Sequence, residues 1–273
     1  SLTQINSIDF IKRLFNKIKE CQSELGENVS FTEFYNWIEL DEDDYNRMEL
    51  DGRFNDFIEK LNGDKEDFSE ILWERRIDED ENFIDWFIEQ AKANNCETGI
   101  FCGDWHHNRN SLNLTTMDAT IRCLEKLGQA FEQFYFFDGN HDLYYKDKRD
   151  VNSTAFATYI PGITFIDEIY QEEDVALVPW LVGDEWKKMK DIKTKYMFGH
   201  FELPSFYMNA MVQMPDHGEL KSEHFVNQEY VFSGHFHKRQ KQGKVHYIGN
   251  AFPHNYADAW DDDRGMMILD REN

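Results

Sequence analysis

Thr98-Gly-Ile-Phe-Cys102-Gly-Asp104-Trp-His-His107 and, one helical pattern later, Gln133-Phe-Tyr-Phe-Phe137-Asp-Gly-Asn140-His141-Asp142 are the stretches on which the fold turns. Each is a short apolar run that breaks off near a glycine into polar and charged residues. Such a run reads as a buried strand, and residues 115–129 between the two read as a helix. Strand, loop, helix, strand, loop is the rhythm of an α/β layout whose strands end in functional loops. The pattern extends in both directions. Residues 82–95, with Phe83, Trp86, Phe87 and Ala91, read as a helix ahead of the first strand. Further strands are predicted at 163–167, 174–179, 195–199, 229–232, 244–248 and 265–270.

Upstream the character changes. Ile5, Ile8, Ile11, Phe15 and Ile18 recur at helical spacing over residues 4–22, and 30–76 continue as helical patterns broken by the acidic turn Asp41-Glu-Asp-Asp44 and by Asn62-Gly63. Residues 1–81 hold 23 acidic and 10 basic side chains and no histidine, whereas all ten histidines fall between His106 and His254. The division expected is therefore an acidic helical segment over 1–81, its charges on solvated helix faces, and a chemistry-bearing α/β core over 82–273.

The whole chain has 53 Asp plus Glu against 29 Lys plus Arg, a net charge of −24, which excludes whole-surface attraction to nucleic acid or anionic lipid. Any contact with DNA must be local. The sequence carries no apolar run long enough for a membrane helix and no apolar leader at its start, so a cytoplasmic protein without a membrane partner is expected. Cys21, Cys96, Cys102 and Cys123 form no CxxC pair, which reads as free thiols in a reducing compartment.

Four polar motifs each follow an apolar strand: Gly103-Asp104-Trp-His-His107, Gly139-Asn140-His141-Asp142, Gly199-His200 and Gly234-His235-Phe-His237. Loops at the carboxyl ends of neighbouring strands converge on one crevice. Convergence would gather a carboxylate, an amide oxygen and several imidazoles, a mixed O and N set that suits manganese, iron or zinc. Glycine ahead of each ligand lets the backbone turn sharply. In an extended segment alternate residues point the same way, so His235 and His237 can present two imidazoles to one site. Each motif alone is usually a turn; the four in this order are not.

The motifs resemble those of the calcineurin-like metallophosphoesterases, whose signatures GD, GNH[DE], GH and GHxH are matched by Asp104, Asn140 with His141, His200, and His235 with His237. Within that superfamily the chain is most similar to SbcD-type nucleases, including those of T-even phages. GNHDLYYKD, VALVPW, GHFELPSFYM, VFSGHFH, VHYIGN and DDDRGMMILD share in the likeness, and His107 matches the GDxxH pattern of that branch. The resemblance implies a four-layer α/β/β/α metallophosphoesterase sandwich and two divalent ions, manganese first, with Fe²⁺, Zn²⁺ or Mg²⁺ as alternatives. Asp104 would bridge both ions, Asn140, His200 and His235 would hold the second, and His237 would help hold the first. His141 would be the catalytic histidine with His107 oriented beside it. The implied reaction is phosphodiester hydrolysis, as an exonuclease and single-strand endonuclease in DNA recombination or repair, with an SbcC-like ATPase partner and a homodimer.

Asp142 is expected either to orient a neighbouring histidine or to cap a turn. His254 reads either as a structural or surface residue or as part of the substrate groove, and Trp105, Phe201, Phe206, Tyr207 and Trp260 either as core or rim packing or as stacking on bases. His217, His224 and His246 read as surface or packing residues.

The family's opening D-x-H motif does not occur in the chain, because no histidine precedes His106. Gly103-Asp-Trp-His106 fits GDxH literally, but only about 35 residues separate Asp104 from Asn140, which suits the second motif followed by the third. A trimmed start, with a D-x-H strand ahead of Ser1, is the expectation. Two other readings stay open: a small-substrate phosphodiesterase or phosphatase of the same superfamily, and a non-catalytic scaffold lacking the first metal site.

Overall fold

The computed structural model describes residues 68–109, 111–208, 212–252 and 263–271. The helix expected over 4–22 and the part of the helical stretch expected over 30–76 that precedes residue 68, together with Cys21, His254 and Trp260, lie outside the described residues. The chain divides into two compact units, Ser1–Arg76 and Ile77–Asn273; apart from the start of the helix that begins at Phe68, everything below concerns the second.

Helix α1 spans Phe68–Ala93 and so begins well before the residue 82 expected from periodicity. Its far half buries Ile84 and Ala91 and packs Phe83, Phe87 and Ile88 beside them, a stripe at helical spacing. Asn95, with φ 56°, ends it in the left-handed conformation that asparagine tolerates. Helix α2 spans Leu114–Ala130; Asn113 caps it by accepting the Thr116 N–H at 2.7 Å, and Ala119, Cys123, Leu124 and Leu127 form its buried face.

Strands β1 (Thr98–Phe101), β2 (Gln133–Phe137) and β3 (Ile163–Ile166) form a parallel three-stranded sheet in chain order, with α2 as the crossover from β1 to β2. A second sheet of six strands runs β4-β5-β6-β7-β9-β8. Its centre, β5 (Val175–Val178), β6 (Tyr196–Gly199), β7 (Tyr230–Ser233) and β9 (Val245–Tyr247), is parallel, and β4 (Tyr170–Glu172) and β8 (Gln240–Gln242) close the edges antiparallel.

Side-chain alternation sorts the strands' residues into three apolar clusters. Phe134 and Phe136 pack with Leu124 and Leu127 under the helices. Phe137 and Ile166 meet Leu177 of the other sheet, with Tyr135 and Phe198 beside them. Ala176, Val178, Met197 and Val231 face Phe201, Phe206, Phe225 and Met189, the last from a 3₁₀ helix over Gly183–Asp191. The fold is thus mixed α/β with two sheets that share apolar contacts. Strand-like runs buried on both faces are what parallel sheets require.

One expectation is corrected, and one choice left open by the sequence is decided. The strand expected at 265–270 does not form among the described residues: Ile268 is 47% exposed, and the Met266 carbonyl accepts from the Arg239 guanidinium instead of a neighbouring strand. Trp105, Phe201 and Phe206 are packing residues. Trp105 lies against Phe101 and Phe136, and Phe201 and Phe206 are buried.

Candidate metal centre

Four strand ends deliver the site. Asp104 follows β1, Asn140 follows β2, His200 follows β6 and His235 follows β7, so both sheets contribute. The Asp104 Oδ2 lies 3.3 Å from His200 Nε2. The Asn140 Oδ1 lies 3.1 Å from His200 Nε2 and 2.9 Å from His235 Nδ1. Asp104, His200 and His235 each direct one ligand atom into a space where all lie within 4.8 Å of one another.

The outer nitrogen of each imidazole decides what the inner one can do. His200 Nδ1–H donates to the Cys102 carbonyl at 2.7 Å, and His235 Nε2 meets the Glu202 carboxylate at 3.2 Å. Both partners accept, so the protons sit outward and the lone pairs of His200 Nε2 and His235 Nδ1 point inward. Donor atoms turned on one another in this way repel unless positive charge lies between them, as a bound cation or as a proton: burial alone would push His200 down, yet Asp104 beside it holds it above the usual imidazole range. Against its own burial, Asp104 is held well below the usual carboxylate range by His200 and by the His141 N–H. Burial, partly offset by Glu202, pushes His235 down.

Two more carboxyl groups, both buried, stand in the loop that carries Asn140. Asp138 is buried, its Oδ1 accepts from the Thr154 hydroxyl, and its Oδ2 has no hydrogen-bond partner. Burial pushes Asp138 up to about 6, and burial with Asp138 and Asp104 nearby raises Asp142 well above the ordinary range. A divalent cation suits this donor set: hard oxygen and borderline nitrogen ligands in surroundings short of positive charge.

The loops can approach this closely because they lack side chains where they touch. A Cβ on Gly139 would collide with Asp104 and come within 2.6 Å of the His200 ring. Asp104 and His235 themselves adopt left-handed backbone, φ 64° and 85°. Such conformations cost about 1–3 kcal/mol each and persist where surrounding structure over-determines them. At Asp104 that structure is Asp142: its carboxylate accepts the backbone N–H groups of Asp104 and Gly139, both at 2.8 Å, and of His106 at 2.9 Å. Asp142 therefore ties two loops together through their amides and touches no imidazole ring.

His141 donates its backbone N–H to Asp104 Oδ1 at 2.8 Å, and its Nδ1 faces the His107 carbonyl at 3.0 Å. Its ring stacks on that of His107, with centroids 5.2 Å apart and 15° between planes. His106 is turned away: its ring nitrogens meet Ser153 and Thr120, and burial pushes it down to about 4, which keeps the imidazole neutral. It is not placed to act as the histidine of a D-x-H motif. His237 is half-buried and outside the group of converging atoms. The positive φ of His235 breaks the extended geometry on which the expected pairing of the two imidazoles depends.

Two neighbours of the site were not legible as such. Glu202 follows His200 by two residues, the alternate spacing by which a partner carboxylate is found in an extended segment. Trp180, after β5, covers the imidazoles with ring centroids 5.9 Å from His200 and 5.4 Å from His235. Arg149 holds the Trp180 carbonyl at 2.7 Å and pairs with Glu185.

No family model matches the chain. It is 29% identical over 194 residues, 68% of its own length, to exonuclease subunit 1 of Enterobacteria phage T4. The chain is similar to a phage exonuclease subunit. That likeness supports the resemblance to nucleases of this type drawn from the four motifs. The chain spans 56% of the length of that relative. Among the described residues no helix is long and apolar enough to cross a membrane.

Proposed function

We propose that this chain is the core of a metal-dependent DNA nuclease of the SbcD type, hydrolysing phosphodiesters in recombination or repair beside an SbcC-like ATPase and as a homodimer. The carrying observation is the convergence of Asp104 Oδ2, Asn140 Oδ1, His200 Nε2 and His235 Nδ1 with lone pairs turned inward, on a chain similar to an exonuclease subunit. In this reading residues 1–81 form an acidic helical segment, and 82–273 form a four-layer α/β/β/α core. Asp104, Asn140, His200 and His235 hold one divalent ion, manganese first. His237 serves a second ion shared through Asp104.

Divalent ions bound there would neutralise charge on a scissile phosphodiester and activate a water molecule. The chain's own groups do the rest. His141 is fixed through Nδ1 to the His107 carbonyl, which leaves Nε2 to move a proton at the leaving oxygen, and the His107 ring stacked on it restrains its swing. Asp142 holds the Asp104 loop against the His141 loop, so the metal donors and the proton carrier keep one spacing. Trp180 keeps water away from one side of the imidazoles.

The test combines calorimetry of Mn²⁺ binding with hydrolysis of labelled single- and double-stranded DNA. Mn²⁺ binding is expected in the wild type and lost in Asp104→Ala and His235→Ala; DNA hydrolysis is expected to require Mn²⁺ and to be lost in Asp104→Ala and His141→Ala. Folded protein that binds no Mn²⁺ refutes the proposal. Preferential turnover of mononucleotides over DNA would establish a small-substrate phosphodiesterase in its place.

A further inference from the structure

We propose that Tyr144 and Tyr145, on the short hairpin that follows His141, form a stacking platform for the bases of single-stranded DNA entering the site. The proposal rests on the nuclease reading above and assigns the residues that would select an unpaired strand.

The two rings are 46% exposed each, adjacent, and set at 82° with centroids 4.7 Å apart. Scattered exposed aromatics are ordinary, but these are held out deliberately. The hairpin beneath them is pinned: Leu143 is fully buried and bridges Asn152, the Tyr144 N–H donates to the Val151 carbonyl at 3.0 Å, and the Ser153 N–H to that of Asp142 at 2.8 Å. The Trp180 indole N–H donates to the Lys146 carbonyl at 3.3 Å, so the residue that covers His200 and His235 also fastens the hairpin. The tyrosines are thus fixed relative to the site and project from it into solvent. Every base has a π-face, so such rings bind unpaired strands of any sequence and offer nothing to a stacked duplex.

Charge points to the same occupant. In a chain of net charge −24, residues 143–149 carry Lys146 and Lys148 against Asp147, with Arg149 already paired to Glu185. Residues 238–244, which follow His237, carry Lys238 and Lys241 and no acidic residue, while Arg239 is paired to Asp263 and the Lys244 ammonium donates to the Phe225 and Gln228 carbonyls. The Lys148 ammonium lies 5.7 Å from the Tyr145 ring centroid, and that of Lys238 lies 5.4 Å from the exposed ring of Tyr207. Cations beside exposed rings next to candidate phosphodiester chemistry match a polyanion with unstacked bases.

The test is fluorescence anisotropy of a labelled short oligothymidylate and of an abasic oligonucleotide of equal length and charge, in EDTA at low salt so that nothing is cut. The wild type is expected to bind the oligothymidylate roughly 5- to 100-fold more tightly than the abasic strand, as stacking of one or two bases would give. Tyr144→Ala/Tyr145→Ala is expected to lose that ratio, and Tyr144→Phe/Tyr145→Phe to keep it. Equal wild-type affinity for both strands, no binding of either, or an alanine variant that keeps the ratio overturns the platform. Mn²⁺-dependent cutting by the wild type is assayed alongside. A tyrosine-dependent preference without cutting upholds the platform and refutes the nuclease reading; cutting with no tyrosine-dependent preference does the reverse.

Discussion

Removing the Glu202 carboxylate should weaken Mn²⁺ binding without unfolding the protein. Glu202 holds His235 Nε2 at 3.2 Å and thereby keeps the proton off Nδ1, the atom that faces Asn140 and His200. In Glu202→Ala the imidazole is free to carry its proton on Nδ1, pointing into the donor cluster, and must give up that tautomer on binding. Partners of this kind are worth about 10- to 100-fold in metal affinity, about 1.4 to 2.7 kcal/mol. Two features of the structure place the effect toward the lower figure. The carboxylate is 38% exposed, so water can replace part of what it supplies, and Trp180 still packs on the ring at 5.4 Å and limits its rotation. The expected loss is therefore about tenfold for Glu202→Ala, and about threefold for Glu202→Gln, which keeps a neutral acceptor but loses the charge assistance. Calorimetry of Mn²⁺ binding near pH 7 measures both, with urea denaturation of the metal-free proteins as control. An affinity for Glu202→Ala within about twofold of wild type would refute the tautomer argument. A large fall in metal-free stability would reassign Glu202 to folding.

Two further outcomes follow from the same region. His106 is buried neutral, its value near 4 against 6.5 when free, so its contribution to stability is complete above pH 6.5 and is lost as pH falls toward 4, about 3 kcal/mol in all. Asp138 is raised from 3.8 to about 6, so its contribution is complete at low pH and is lost as pH rises through 6, also about 3 kcal/mol. The two oppose one another, so Asp138→Asn should lose stability more steeply than wild type as pH falls from 6.5 to 4, and equal pH slopes in urea denaturation would contradict this. Gly139→Ala places a methyl group against Asp104 and the His200 ring, and should lower Mn²⁺ affinity at least tenfold with the far-ultraviolet circular dichroism unchanged. An unaltered affinity would mean that the β1 and β2 loops do not meet as described.

The chain order of strands and the four motif loops were legible because buried parallel strands must be continuously apolar and must stop where the chain turns polar. Ile100 to Cys102 and Tyr135 to Phe137 announce themselves in that way, and their loops follow at once. The edge strands β4 and β8 were not legible: Tyr-Gln-Glu and Gln-Lys-Gln carry the polar residues that exposed edges favour, and only a neighbour's backbone makes them strands. The donor types at the site can be read from the chain order, since a carboxylate, an amide and imidazoles stand at the strand ends whatever the details of packing. Which atom of each faces inward depends on contacts made across the fold. His200 turns Nε2 inward because Cys102 takes Nδ1, His235 turns Nδ1 inward because Glu202 takes Nε2, and Asp142 serves backbone amides rather than a ring. Apart from Gly139, three residues from Asp142, the partners in those hydrogen bonds stand 33 to 98 positions apart, and no local pattern records which partner each donor finds across the fold.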